Sequence, residues 1–247
     1  MRTLAPLGAL LLVGLPLTLH GAADERWQIN ASPYFWAAAA SGDVGQNHLP
    51  TAELDSSFGD IWRDLDFAMM GIVEARKGRL SLVNDWVYTK LSSSGKTPRG
   101  VIVDHVNVKS KTVSALFGAG YALIDAPQGN LDWVLGARVW YSQSRLDFKG
   151  GRWDGRGGQD SDVWVNAVTG VRGRYAFNRY LYLTASALAG AGQADLDWEA
   201  TALLGVQFSQ SLSAVVGYRA LGVDYSDGGF TYDVVQKGPI AGVVMHF

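Results

Sequence analysis

Glu74 and Arg76, Arg172 and Arg174, and Asp197 and Glu199 are each separated by a single residue. In extended chain, residues at that spacing project from the same face. Asp85, Arg138 and Arg219 occupy the matching face of their own segments, opposite an apolar set. Ionised groups collected on one face of a closed surface must pair with each other or with water, because an unpaired one costs several kcal/mol. Two kinds of chemistry follow. The set can form an ionic core that stiffens whatever encloses it. Alternatively, its arginines, which outnumber its carboxylates, can offer a small anionic solute a site or a narrow path.

Groups suited to catalysis are sparse. Apart from His20 in the N-terminal apolar run, the histidines are His48, His105 and His246. His105 follows Asp104 and lies near Ser92-Ser93-Ser94, so a Ser/His/Asp set can be drawn on paper. Adjacency in sequence is not triad geometry, however, and nothing marks those serines as activated. No His/Asp/Glu spacing suggests zinc or calcium, and Asp224 to Asp233 lacks the regular liganding spacing of a calcium loop. Gly155-Arg156-Gly157-Gly158 is a loop tip with no helix after it, so it is not a phosphate cradle. The expectation is a non-enzyme with no cofactor and no metal. A net charge of -2 with dispersed Lys and Arg gives no argument for nucleic acid.

The elements that must position these charges are strands. Trp27, Ile29, Ala31, Pro33 and Phe35 alternate with Gln28, Asn30, Ser32, Tyr34 and Trp36. Phe67 to Arg76, Leu80 to Thr89, Thr112 to Tyr121, Leu131 to Ser142, Val163 to Tyr175, Leu181 to Ala191, Leu196 to Phe208 and Leu212 to Asp224 alternate similarly, with Asn84 on the wrong face. Lys77–Arg79, Asp125–Asn130, Phe177–Arg179 and Ser209–Ser211 are short turns. Ser92–Gly100, Lys149–Ser161 and Tyr225–Asp233 read as longer loops. This predicts one all-β domain, a closed antiparallel barrel of about ten strands, with eight or twelve as alternatives. Aromatics gather at the two strand ends, Trp27, Tyr121, Trp133, Tyr175, Phe208 and Phe247 at one and Phe35, Tyr88, Tyr141 and Trp198 at the other. That is how girdles flank an apolar band of roughly 25 Å.

The insertion from Ser41 to Asp66 breaks the pattern. Asp43 to Asp55 alternates weakly, as an extra strand or an outer hairpin; counting it as spanning would make the strand number odd. Ser57 is a candidate N-cap partnered by Asp60, and Phe58, Ile61, Trp62 and Leu65 recur at helical spacing. The expected amphipathic helix either plugs the barrel mouth or rests on its rim.

Both ends of the chain carry targeting features. Met1-Arg2, the apolar run Leu4 to Leu19 and the small residues Gly21-Ala22-Ala23 read as a signal peptide over residues 1–23, leaving 24–247 as the barrel. Pro6, Pro16 and the short run disfavour a retained anchor. There are no cysteines, so stability must come from the ladder and the packed interior. At the other end, Gly242, Met245 and Phe247 form a Gly-x-x-hydrophobic-x-aromatic ending. It resembles the terminal strand by which Gram-negative outer-membrane β-barrels are recognised for insertion.

The chain from residue 24 onward resembles the small Gram-negative outer-membrane β-barrel proteins, in particular a poorly characterised proteobacterial group. The residues that carry the resemblance are Ser32-Pro33-Tyr34-Phe35-Trp36, Ser57-Phe58-Gly59-Asp60-Ile61, Leu65-Asp66-Phe67, Gly217-Tyr218-Arg219 and the Gly238 to Phe247 ending. The resemblance implies an outer-membrane location with periplasmic termini, contact with outer-membrane lipid, and barrel-assembly machinery as a partner during insertion. It supplies no catalytic residues. The functional expectation is a narrow or gated channel, or a small-ligand binder, with a charged lumen and an anionic solute as candidate cargo. The alternative is a structural or surface-interaction barrel acting through its loops; an outer-membrane lipid or peptide hydrolase is a more distant reading.

Overall fold

Strict alternation forces each segment to separate an apolar face from a polar one, and a closed barrel buries the polar face while pairing every strand edge. The computed structural model of this chain describes residues 26–45, 52–96, 105–150, 154–155 and 157–247. The predicted signal peptide, His48 and Asp104 lie outside the described residues. The elements in order are β1 (Gln28–Trp36), β2 (Ala39–Gly45), β3 (Ala52–Ser56), α1 (Phe58–Asp64), β4 (Leu65–Lys77), β5 (Leu80–Lys96) and β6 (His105–Ala126). They continue as β7 (Gly129–Lys149), β8 (Gly157–Ala176), β9 (Leu181–Gly192), β10 (Leu196–Gln207), β11 (Leu212–Asp227) and β12 (Phe230–His246).

Strands β1 and β4 through β12 follow one another around the wall, and the β1–β12 pairing closes a ten-stranded antiparallel barrel. At the closure, the Ile29 amide donates to the Phe247 carbonyl at 3.2 Å and the Phe247 amide donates back at 2.9 Å. The Phe247 ring stands on the outer face, 75% exposed. Pro33 has no N–H for this seam, and the Ser32 hydroxyl substitutes for it by donating to the Val243 carbonyl at 3.1 Å. The predicted inward and outward parities hold around the ring. Outward Asn84 satisfies its amide on the Leu116 carbonyl at 2.9 Å.

The insertion does not add a wall strand. β2 and β3 form a hairpin, with β2 paired to the outer part of β12 from Ala39↔Lys237 to Gly45↔Thr231. Three expected loops need correction, because the strands run past the girdle. Ser92 to Lys96 belongs to β5, Gly157 onward belongs to β8, and Tyr225–Asp233 is mostly strand. The last of these closes on Gly228 and Gly229, whose positive φ of 54° and 91° makes a tight turn possible. Overlong strands place inward-facing Tyr225, Phe230 and Tyr232 over the lumen, where a solvated loop would have left them outside.

Candidate functional site

The charges expected inside the barrel form two networks at different heights. At mid-height, Arg138 bridges Asp197 at 2.5 Å and Glu199, while Arg219 reaches Asp85 at 2.7 Å and Glu199 at 3.2 Å. The Tyr34 hydroxyl donates to Asp85 at 2.8 Å and accepts from Arg219 at 2.6 Å. Asp197 also receives the Trp140 indole at 2.8 Å and the Asn166 amide at 2.9 Å. Arg138, Asn166 and Asp197 are sealed from solvent. Nearer the barrel end that carries Gln28 and Phe247, Arg76 pairs with Asp132 and lies 3.8 Å from Glu74, and Glu74 also holds Arg172 at 2.8 Å. Arg174 lies 3.8 Å above the Tyr182 ring, and that ring covers Gly205 so closely that a side chain there would collide with it.

The structure therefore pairs every residue of the expected charge set except Arg174, which meets the Tyr182 ring and Gln207 instead, and adds a member. Asp132 is fully buried and satisfies Arg76, Ser81 and Asn130. Its inward parity was legible in β7, yet its partner lies across three strands and is invisible to local spacing. With Asp132 included, Arg76, Arg138, Arg172, Arg174 and Arg219 face an equal number of carboxylates, and the expected arginine surplus disappears.

Above the mid-height network lies an aromatic layer that sequence reasoning missed. Trp140, Trp164 and Tyr225 stack with ring centroids 6.0 Å and 4.3 Å apart and interplanar angles of 6° and 3°. Phe230 and Tyr232 close on the stack from β12, and Trp36, Leu221, Val223 and Ile240 complete the cluster. The signal is present in the sequence, since Trp140 and Trp164 share the parity of Arg138 and Asn166, but which rings meet depends on strand order. The two layers are bonded together, since Asp197 serves both Arg138 and Trp140, and the Arg219 guanidinium lies 5.1 Å over Trp36.

This septum divides the interior. On the side of Gln28 and Phe247 is a polar vestibule of about 200 Å³ lined by Asn30, Glu74, Arg76, Arg172 and Arg174. A small void of about 50 Å³ sits beside Ile72, Leu116 and Leu188 at mid-height. On the opposite side is a larger, mainly apolar chamber of about 370 Å³. Its apolar wall includes Ala40, Val44, Leu54, Met70, Val87 and Tyr232; its hydroxyl wall comprises Thr89, Ser110, Thr112, Ser142 and Ser144. Among the described residues, no Lys or Arg lines it.

Helix α1, expected either to plug the mouth or to rest on the rim, borders this chamber with Phe58, Ile61, Trp62 and Leu65 in its lining. Ser57 caps α1 in a complete capping box with Asp60, as the sequence predicts. The helix touches the β2–β3 hairpin on one side and wall strand β5 on the other, so it bridges a break beside β4. Phe58 and Trp62 stack edge-on against outward-facing Phe35, with centroids at 6.0 Å and 5.7 Å. Ile61 turns inward onto the core cluster, and Leu65 lines the chamber. The lumen is stoppered by β-strand aromatics instead.

A Ser–His–Asn chain appears where none was sought. The Ser213 hydroxyl lies 2.8 Å from His246 Nε2, and His246 Nδ1 lies 2.7 Å from the Asn30 side-chain oxygen. Ser213 is fully buried, and its hydroxyl is also engaged by Tyr182 at 2.9 Å, which leaves no approach for a substrate carbonyl. The chain reads as a clasp tying β1, β9, β11 and β12 near the barrel base. His105 sits in β6 opposite Lys96, away from this chain. Among the described residues no His/Asp/Glu group is arranged to hold a metal. In the terminal strand, Gly242 faces inward and leaves room for Tyr34, while Met245 and Phe247 alternate outward against β1.

No protein-family model matches the chain, and no curated protein matches it in sequence. Among solved structures, the outer membrane protease OmpT of Escherichia coli superposes with a TM-score of 0.58 at 8% identity, over 93% of this chain and 99% of that one. The attachment invasion locus protein Ail of Yersinia pestis gives 0.39 at 11% identity, over 90% of this chain and 99% of that one. Neisserial surface protein A gives 0.34 at 16% identity, over 92% and 100%. At these identities the likeness concerns the fold alone, and it is the fold of Gram-negative outer-membrane β-barrel proteins.

Proposed function

We propose that this chain is a non-enzymatic outer-membrane β-barrel, with its termini in the periplasm, that holds a small neutral amphipathic molecule in its outer chamber. The observation that carries the reading is the chamber itself: about 370 Å³, apolar on one wall, hydroxyl-bearing on the other, and floored by the aromatic and ionic septum. Ligand sites are concave and mostly apolar, with a few polar groups for orientation. Conduction would require the stacked rings and the ion pairs beneath them to part together. The outward apolar faces, the two aromatic girdles and the aromatic ending support the membrane location and orientation.

Two measurements test this. Folded protein in planar bilayers is expected to pass no step currents; regular steps would return the channel reading to first place. In lipid nanodiscs, a neutral dansylated alkylamide is expected to show a saturable bound component that Ala68→Trp, which fills the chamber beside Met70, removes. Unsaturable partitioning alone would sink the binding reading.

A further inference from the structure

The barrel wall is interrupted beside this chamber. The β1–β4 ladder runs from Gln28↔Arg76 to Pro33↔Gly71 and then stops. Beyond it, Tyr34 to Trp36 remain paired to β12, and Leu65 to Met70 remain paired to β5 alone. Higher up, β3 pairs with β2, and no backbone pairing joins β3 to β5 among the described residues. At about 3.3 Å per residue, the unpaired edge of β4 leaves a seam on the order of 20 Å long. The cause is covalent: the β2–β3 hairpin and α1 are spliced into the strand pair, so the chain cannot stay in register on both sides. Helix α1 spans the seam, touching β2 and β3 on one flank and β5 on the other.

The seam opens toward the apolar band. Phe35, Phe67 and Met69 beside it point outward and are each about half exposed. Phe35 and Trp62 stack across it, and the same two rings, with Ala68 and Met70, border the chamber behind. An unpaired strand edge facing hydrocarbon is costly, so a natural barrel retains one only where something covers it or passes through it. Here the cover is a helix of two turns that is held by rings and a capping box, with none of its residues buried.

We infer that the chamber is loaded sideways from the outer leaflet through the β1/β4 seam, with α1 as its gate, and that its occupant is a single alkyl chain bearing a small neutral polar group. This rests on the binding reading above and names its ligand class and route. The alkyl portion lies against Leu54, Met70 and Val87, and the polar group meets the Thr112 and Ser142 side of the chamber. At the gate Asp60 pairs with Arg63 and, just beyond, Asp66 holds Lys90 at 3.0 Å, so these cations are already matched by carboxylates and offer an anionic headgroup little. A molecule of this kind is dissolved in the membrane, not in water, so a side entrance shortens its route and avoids crossing the polar rim.

The chain has no cysteines, so paired cysteines can be read cleanly. Phe35→Cys with Trp62→Cys replaces two rings whose centroids stand 5.7 Å apart and puts a thiol on either side of the seam, to be joined by a reducible bis-methanethiosulfonate bridge. Proteoliposomes carrying this variant are loaded with a neutral diazirine alkyl alcohol, irradiated at intervals, and mapped by mass spectrometry. In the unbridged protein, label is expected on chamber residues Leu54, Met70 and Val87 as well as on outer-face Phe117. Bridging is expected to cut the rate of chamber labelling by about tenfold, leave Phe117 labelling unchanged, and be reversed by reductant. Equal chamber labelling with and without the bridge overturns lateral entry while leaving the binding site standing. Chamber residues never labelled in either state overturn the binding reading itself. Should that pair fail to insert, Phe35→Cys with Phe58→Cys carries the same test, because those rings stand 6.0 Å apart.

Discussion

Asp197 concentrates much of the interior's electrostatics in one carboxylate, which meets Arg138, Trp140 and Asn166 with no exposure of its own. Asp197→Ala takes one of its two carboxylates from buried Arg138 and leaves the Trp140 indole N–H and the Asn166 amide unmatched. It is therefore expected to destabilise the folded barrel by about 3–5 kcal/mol, measured by urea unfolding in lipid vesicles. The Ser213 clasp yields a different expectation. Removing its hydroxyl leaves the His246 and Tyr182 partners unmatched at a cost of about 1–3 kcal/mol. A serine-reactive fluorophosphonate should leave Ser213 unlabelled, because the hydroxyl is sealed; stoichiometric labelling would reopen the enzymatic reading. Asp132 shows what local spacing cannot reveal. Its inward direction follows from parity, but its pairing with Arg76 depends on which strands become neighbours.

Among the elements, α1 is stabilised at its own start. The Ser57 hydroxyl and amide bond the Asp60 carboxylate, and they hold its pKa below the ordinary carboxylate range; Arg63 adds to this. A depressed carboxylate stabilises the folded form above its unfolded pKa of about 3.9, and that contribution is lost as pH falls through the lower folded value. Acidification below about pH 4 is therefore expected to loosen α1 before the barrel, seen as faster hydrogen exchange at the Asp60 and Ile61 amides. Ser57→Ala should raise that exchange already at neutral pH. The helix was legible in the sequence because its cap and its apolar spacing are local. Its position in the wall was not, since that follows from the register lost between β1 and β4.

For the whole molecule, closure makes the structure resistant as a unit. All ten wall strands are paired around the ring, and the septum cross-links β1, β5, β7, β8, β10, β11 and β12 through side chains. Emptying the aromatic layer with Trp164→Ala, a fully buried ring, is expected to cost about 3–5 kcal/mol and to be the shortest route to a leaking barrel. Step currents that appear in planar bilayers only in that variant would identify the stack as the seal. Currents in the unaltered protein would contradict the closed lumen.

The sequence by itself determined the period-two faces, an even strand count of about ten, the girdles, the capped helix and the inward direction of the charged residues that meet in the lumen. Each of these depends on neighbours within a few positions along the chain. Only the tertiary structure decided that the charges balance, that Trp140, Trp164 and Tyr225 form one stack, and that the wall opens beside Phe35. Those features arise from strand order and register, which bring together residues as distant as Trp36 and Ile240. The two-residue alternation says which way a side chain points, but the pairing of separate strands decides what it meets.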